Sequence, residues 1–203
     1  METDLPMDFD FAKDYVLENK RTRLEPLQMG HEKALVNVAS EEEVWTYFLG
    51  KSNGKANFGK YILDTQKARA MQKEYAFAVY DKARGLYAGS TRFFDFDKDL
   101  NTVRLGYTWY GKSYWGTGLN KNCKFLLFQF AFEQMEVERV GLGAHAENVR
   151  SISAMESVGC KREGVVRNLF PSIHKEGRAD AVLLGILKDE WFQYAKNDLN
   201  QRL

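Results

Sequence analysis

Trp115-Gly116-Thr117-Gly118-Leu119-Asn120 lies between a strand-like run at residues 102–110 and a long apolar, helix-like run at residues 119–135. Glycine reaches backbone conformations closed to other residues, so two of them let main-chain N–H groups approach a ligand closely. A helix that begins at the same point adds the positive end of its dipole. The stretch therefore reads as an anion-binding turn that passes a strand into a helix.

Upstream, residues 75–80 and 86–96 have strand composition, with turns at 81–85 and 97–101, and together with 102–110 they predict an antiparallel meander. Within 102–110, Val103, Leu105, Tyr107 and Trp109 alternate onto one face, and Arg104, Gly106, Thr108 and Tyr110 onto the other. Downstream, Leu119, Cys123, Leu126, Leu127, Phe130 and Ala131 recur at helical spacing. Phe125, Phe128 and Phe132 occupy its other faces, so this helix is expected to be well buried. Residues 139–144 then read as a strand, 149–158 as a short helix stopped by Gly159, and 160–169 and 181–187 as strands.

Before the meander the pattern is helical. Ala34, Leu35 and Val38 share a face, and Ser40-Glu41-Glu42-Glu43 reads as a capping box ahead of Val44, Trp45, Tyr47 and Phe48. After a polar loop at 51–59, another helix is expected at 61–73. This order predicts an α/β (α+β) fold, a single domain with a mixed, mostly antiparallel sheet flanked by helices. Residues 1–20 alternate acids with Phe9, Phe11, Tyr15 and Leu17 and are assigned as an N-terminal arm, packed or loose, ahead of a domain over 21–203.

Composition narrows the function. The 203 residues suit one sizeable core, and 44% hydrophobic with 14% aromatic residues excludes a disordered chain. Lysine plus arginine (29) against aspartate plus glutamate (28) leaves a formal charge of +1, so no field draws polyanions and no nucleic-acid partner is expected. Cys123 and Cys160 have no paired spacing and His31, His145 and His174 stand apart, so no metal or disulfide framework is expected. No stretch reaches membrane-spanning length and the start is unlike a signal peptide; the expectation is a cytoplasmic chain with no membrane partner.

Gly106-Tyr107-Thr108-Trp109-Tyr110-Gly111-Lys112-Ser113 satisfies the nucleotide-triphosphate loop pattern G-x-x-x-x-G-K-S. Its middle residues are bulky strand formers, however, and Gly116 and Gly118 would interrupt the helix that such a loop requires. It is read as a decoy, as is the partial match at residues 54–60, where Tyr61 follows instead of a small hydroxyl residue.

About thirty residues after the glycine turn come Asn148-Val149-Arg150-Ser151, then Gly159, then Glu163-Gly164. In this order and spacing the chain resembles the Gcn5-related N-acetyltransferase family, within it the branch that includes the ribosomal-protein N-terminal acetyltransferases. The likeness runs from His31-Glu32-Lys33-Ala34-Leu35 to Asp189-Glu190-Trp191 and is densest from Gly89 onward. It implies acetyl-CoA as cosubstrate without a metal, a primary amine as acceptor, and direct transfer in a ternary complex. The resemblance puts the pyrophosphate on the main chain of Trp115, Gly116, Thr117, Gly118, Leu119 and Asn120. It also implies that the strand at 102–110 splays from its neighbour and offers backbone groups at Trp109 and Tyr110 to the thioester, while Asn148 and Ser151 line the pantetheine arm.

Each assignment has a plainer reading. Asn148 is equally a helix N-cap, and residues such as Trp109 and Tyr107 are more often simply core. Two positions depart from the family pattern: Ser113 stands where arginine or glutamine is usual, and Met155 where many relatives carry the tyrosine that protonates the leaving thiolate. Ser151 is therefore the candidate acid. No carboxylate announces itself as a base; Glu163 is assigned to the catalytic set, with His145, His174, Glu176 or a water chain as alternatives. Arg92 is left without a role. An α-amine is roughly 10 to 20% neutral at pH 7 and a lysine well under 0.1%, so an α-amine or a perturbed small-molecule amine needs less help from an enzyme. The rival readings are a small-molecule amine acceptor and an acyl-CoA-binding module without turnover. A homodimer is left open.

Overall fold

The computed structural model describes residues 7–48, 57–173 and 176–203. Eight strands form one sheet: β1 (Leu17–Glu18), β2 (Thr22–Pro26), β3 (Glu74–Asp81), β4 (Leu86–Asp97), β5 (Thr102–Tyr110), β6 (Arg139–His145), β7 (Lys161–Pro171) and β8 (Arg178–Leu187). Their spatial order is β1-β2-β3-β4-β5-β6-β8-β7. Every neighbouring pair is antiparallel except β5 and β6, which run parallel because the chain between them crosses over through a helix. The mixed, mostly antiparallel sheet flanked by helices is the architecture expected from the pattern.

Helices cover both faces. On one lie α3 (Leu119–Glu133) and α4 (Val149–Glu156), over a core that includes Phe93, Leu105, Leu127, Phe130, Leu142 and Ile186. On the other lie α1 (Glu32–Ala39) and α2 (Phe58–Ala70), over a smaller core with Leu35, Trp45, Ile62, Ala78 and Trp109. The apolar all-round character of α3 is used in full: its Phe125, Phe128 and Phe132 rings lie 5.6, 6.1 and 6.0 Å from Trp191. Trp191 belongs to a C-terminal helical stretch, Lys188–Glu190, Trp191–Ala195 and Lys196–Asn200, which the sequence reading did not extend to. Phe9 packs on Tyr15, Tyr75 and Phe96 with centroids 5.2, 5.3 and 4.8 Å away, tying the first described residues to the main core.

Several expectations are corrected. Two strands, β1 and β2, precede the first helix; β1 is two residues long and β2 carries Arg23, Glu25 and Pro26, so the strand signal is weak. The capping box at Ser40 does not form: its hydroxyl donates back to the Val36 carbonyl at 2.6 Å, and the next element is a 3₁₀ turn, Glu42–Trp45, with Glu41 at its N-cap. α2 starts three residues before the expected Tyr61. Residues 51–56 of the polar loop expected at 51–59, and with them residues 54–56 of the partial match at 54–60, lie outside the described residues, as does His174; residues 58–60 of that match open α2.

The alternation expected along β5 fails at one place. Opposite β4 the register passes from Ser90↔Trp109 to Arg92↔Gly106, so Tyr107 and Thr108 face the single residue Thr91, and Tyr107 has φ +48°. This is a β-bulge. It reverses the faces beyond it: Val103, Leu105 and Tyr110 join the core under α3, while Trp109 joins the core under α1 and α2. Tyr107, grouped with the core residues by alternation, is 45% exposed. The swing brings the Trp109 carbonyl so close to β4 that a Cβ on Gly89 would sit 1.9 Å from its oxygen.

Candidate active site

β5 and β6 hydrogen-bond over only three pairs, Thr102↔Arg139 to Arg104↔Gly141, although β5 continues to Tyr110 and β6 to His145. The two strands part beyond Arg104, and the bulge lies in the parted segment. The edge of β5 that faces the gap keeps its main-chain groups free of a neighbouring strand.

Where β5 leaves the sheet, the chain makes a 3₁₀ turn, Lys112–Tyr114, and then the glycine turn. Gly116 and Gly118 have φ +73° and +84°, in the left-handed region, and nothing lies within 4 Å of a Cβ built on either. Gly118 is the N-cap of α3 and no side chain caps it, so the first N–H groups of a 15-residue helix meet open space. The turn is braced from below: Asn122 donates to the Gly118 carbonyl through its side chain at 3.1 Å and accepts from the Asn19 side chain at 2.9 Å. Trp115 Nε1 donates to the Tyr110 carbonyl at 2.9 Å and Thr117 Oγ1 to the Tyr114 carbonyl at 2.7 Å. Leu119 is buried and Asn120 half-buried. Uncapped N–H groups, two left-handed glycines and a rigid base suit a phosphate group.

At the end of β6, Asn148 accepts a hydrogen bond from the Ser151 N–H at 3.1 Å and caps α4, so the plainer reading of Asn148 holds. The Ser151 hydroxyl has no hydrogen-bond partner among the described residues and the residue is half-buried. A cleft of about 360 Å³ joins this end to the glycine turn, lined by Glu43, Tyr47, Lys112, Trp115, Asn148 and Arg150. The Arg150 guanidinium lies 3.3 Å from the Trp115 ring centroid and spans that cleft.

Glu163, by contrast, sits on β7 in an ion pair with Arg139 of β6. It is not among the residues that line the cleft. His145 is buried with both ring nitrogens engaged: the Glu147 N–H donates to Nδ1 at 3.2 Å, so Nε2 carries the hydrogen that reaches the Pro171 carbonyl at 3.0 Å. Glu176 is exposed. Arg92, unassigned from sequence, forms a buried ion pair with Glu74 and donates to the Tyr61 hydroxyl at 2.5 Å.

Two residues of the site escaped the sequence reading. Arg84, from the β3–β4 turn, donates to the Ser113 hydroxyl at 3.2 Å and to its carbonyl at 3.0 Å. A guanidinium thus reaches Ser113 from across the sheet, and no local pattern could have shown it. Tyr47 donates to the Glu147 carbonyl at 3.0 Å, bracing the segment between β6 and α4. The nucleotide-triphosphate pattern is a decoy in the structure as well: Gly106 to Tyr110 are strand, Lys112 opens a three-residue turn, and its ammonium pairs with Glu43 at 2.9 Å.

The model of the acetyltransferase (GNAT) domain matches residues 21–161. The chain belongs to this family. It is 29% identical over 114 residues to "Putative ribosomal N-acetyltransferase YdaF" of Bacillus subtilis, a match covering 56% of this chain and 58% of that protein. Matches to the curated relatives span about 60% of their own length. Among solved structures, a GCN5-related N-acetyltransferase from Brucella melitensis superposes with a TM-score of 0.85 at 24% identity, over 97% of this chain and 87% of that one. Mycobacterium smegmatis RimJ in complex with CoA-disulfide superposes with a TM-score of 0.77 at 15% identity, over 93% of each. At these identities the two structures speak for the fold. Among the described residues no helix is long and apolar enough to cross a membrane, and no group of three or more His, Cys, Asp or Glu is placed to hold a metal ion.

Proposed function

We propose that this protein is an acetyl-CoA-dependent N-acetyltransferase that passes the acetyl group directly to a primary amine in a ternary complex, with a protein N-terminal α-amine as the acceptor class. The observation that carries the reading is the uncapped start of α3 at Gly118, which opens beside the gap between β5 and β6. One end of the gap suits a pyrophosphate, and its length suits an extended thioester arm. The structural likeness to RimJ, recorded with CoA-disulfide, and the likeness to YdaF, named for a ribosomal acceptor, support the same choice.

In this reading the main chain of Trp115 to Asn120 binds the pyrophosphate, and Arg84 and Arg150 flank it. Asn148 and Ser151 contact the pantetheine arm, and the free β5 edge at Trp109 and Tyr110 polarises the acetyl carbonyl as oxyanion donors do. Ser151 gives a hydrogen bond to the leaving sulfur. Glu163 acts on the acceptor side only when its pair with Arg139 opens. An α-amine, already partly neutral at pH 7, suits a site whose carboxylate is engaged.

The test is acetyl-CoA binding followed by thiol release with a panel of N-terminal peptides and small amines. At about 100 times its dissociation constant acetyl-CoA should stabilise the fold by about 2.7 kcal/mol, which is roughly 5 to 11 °C of melting temperature for a domain of this size. Stabilisation by ATP-Mg²⁺ and none by acetyl-CoA refutes the reading. Binding without thiol release to any amine would mean a module that has lost turnover.

A further inference from the structure

Among the described residues two lysine or arginine side chains are buried. Arg92 is matched by Glu74. Lys124 is not: it lies within α3, 4% exposed, in no ion pair, and its Nζ makes one hydrogen bond, donated to Thr108 Oγ1 at 3.2 Å. An ammonium has three donors, so two are left over. The Thr108 hydroxyl in turn lies 2.7 Å from Thr91 Oγ1.

Position gives the amine its meaning. Thr108 is in the bulge, beyond the last β5–β6 pair, and is turned toward α3. A side chain that starts on α3 under the sheet and ends at Thr108 has its ammonium beneath the segment of β5 that is not paired to β6. The titratable groups that act on it are the buried thiols of Cys160 and Cys123, with no carboxylate. Met155, where relatives place a hydroxyl, leaves Ser151 as the candidate donor from α4 at this gap.

We propose that Lys124 is a catalytic residue of the acetyl transfer, whose ammonium faces the sulfur of acetyl-CoA and gives a proton to the departing thiolate. The proposal rests on the reading of the gap as the acetyl-CoA site. As the acceptor N–C bond forms and the C–S bond breaks, an Nζ–H bond of Lys124 breaks and the S–H bond forms. Lys124, left neutral, regains the proton shed by the acceptor nitrogen through the Thr108 hydroxyl, so the net transfer is from amine to thiol. Ser151 cannot be the proton source alone: an alkanol is a far weaker acid than a thiol, and its alkoxide would be less stable than the thiolate it neutralised. Burial brings the Lys124 ammonium down to about 8, into the range of an ordinary thiol. The ammonium is then acidic enough to pass its proton to the sulfur, and until it does so its charge stabilises the departing thiolate.

The test uses CoA itself, titrating its bound thiol by the ultraviolet absorbance of the thiolate. Cys123 and Cys160 do not interfere, since burial pushes them up to about 11 and about 12. In the wild-type protein the bound thiol should titrate about one pH unit or more below free CoA, because an adjacent ammonium favours the thiolate. In Lys124→Met it should return to the free value or above, with CoA affinity within about threefold and single-turnover thiol release down roughly 10²- to 10⁴-fold. A wild-type bound thiol that titrates with free CoA overturns the proposal, and needs no variant to fold. So does thiol release at the wild-type rate in Lys124→Met. Failure of the wild-type protein to bind CoA at all overturns the acetyl-CoA reading as well, whereas binding with an unshifted thiol overturns the role of Lys124 alone.

Discussion

Replacing Lys124 by methionine should stabilise the ligand-free protein while it removes turnover. The fall of the buried ammonium from 10.5 to about 8 comes chiefly from desolvation and corresponds to about 3 kcal/mol of unfavourable charge burial at neutral pH. At 4% exposure little of that is screened by solvent. Methionine is of similar length, flexible and apolar, and fills the same space. It gives up the hydrogen bond to Thr108, worth about 1 kcal/mol, while Thr108 keeps Thr91 as a partner. The net gain is about 2 kcal/mol, or roughly 4 to 8 °C of melting temperature at this chain length. The pH dependence has a fixed sign. The folded-state value lies below the unfolded one, so between about pH 8 and about pH 10.5 the unfolded chain holds more protons, and wild-type stability rises with pH through that window. The advantage of the variant should therefore be full near pH 7 and shrink as pH climbs. Denaturant unfolding of both proteins from about pH 7 to about pH 10 measures this directly, and alkaline effects common to both cancel in the difference. A variant less stable than wild type at pH 7, by a margin indifferent to pH, would refute the account of Lys124 as an uncompensated buried charge.

Gly116→Glu or Gly118→Glu should leave a folded protein, since a Cβ at either meets no neighbour and the left-handed backbone costs about 1 to 2 kcal/mol, but should abolish the thermal shift given by acetyl-CoA; a shift that survives both substitutions removes the phosphate from this turn. Gly89→Ala should cost more than about 2 kcal/mol in denaturant unfolding, because its methyl would collide with the Trp109 carbonyl and force the bulge to move; a loss under about 0.5 kcal/mol would show that the bulge adapts. Cys123 and Cys160 are buried with thiols raised to about 11 and about 12, so neither should be alkylated in the native protein near neutral pH and kinetics should be sequential; parallel double-reciprocal lines with a trapped acetyl-enzyme would contradict this.

The strand, turn and helix from residue 102 to residue 133 were legible because each obeys a local rule: alternation, two glycines, then apolar residues at helical spacing. β5 and α3 begin where the pattern placed them. What stayed hidden depends on relations between distant segments. The pairing of Arg84 with Ser113 is set by how β3, β4 and β5 lie in the sheet, and the capture of Glu163 by Arg139 by the placement of β7 two strands from β6. The capping box at Ser40 looked local but lost to a competing bond to Val36.

The bulge at Tyr107 is the most consequential of the hidden features, because a period-two count has no place for an inserted residue. Without it, Thr108 and Tyr110 would point toward α1 and α2 and Trp109 toward α3. With it, Trp109 completes the smaller core, and Thr108 turns to meet Lys124. The sequence did hold a trace of that meeting: α3 keeps Lys121, Gln129 and Glu133 on a half-buried side, yet carries a second lysine among its buried residues, directly after Cys123. A charge on the buried side of a helix has to find a partner beyond the helix, and what this one reaches is the bulged residue in the part of β5 that leaves β6. The bulge and the buried lysine thus belong together: one residue inserted in β5 gives the amine its one hydrogen-bond partner among the described residues and sets it beneath the segment of β5 that parts from β6.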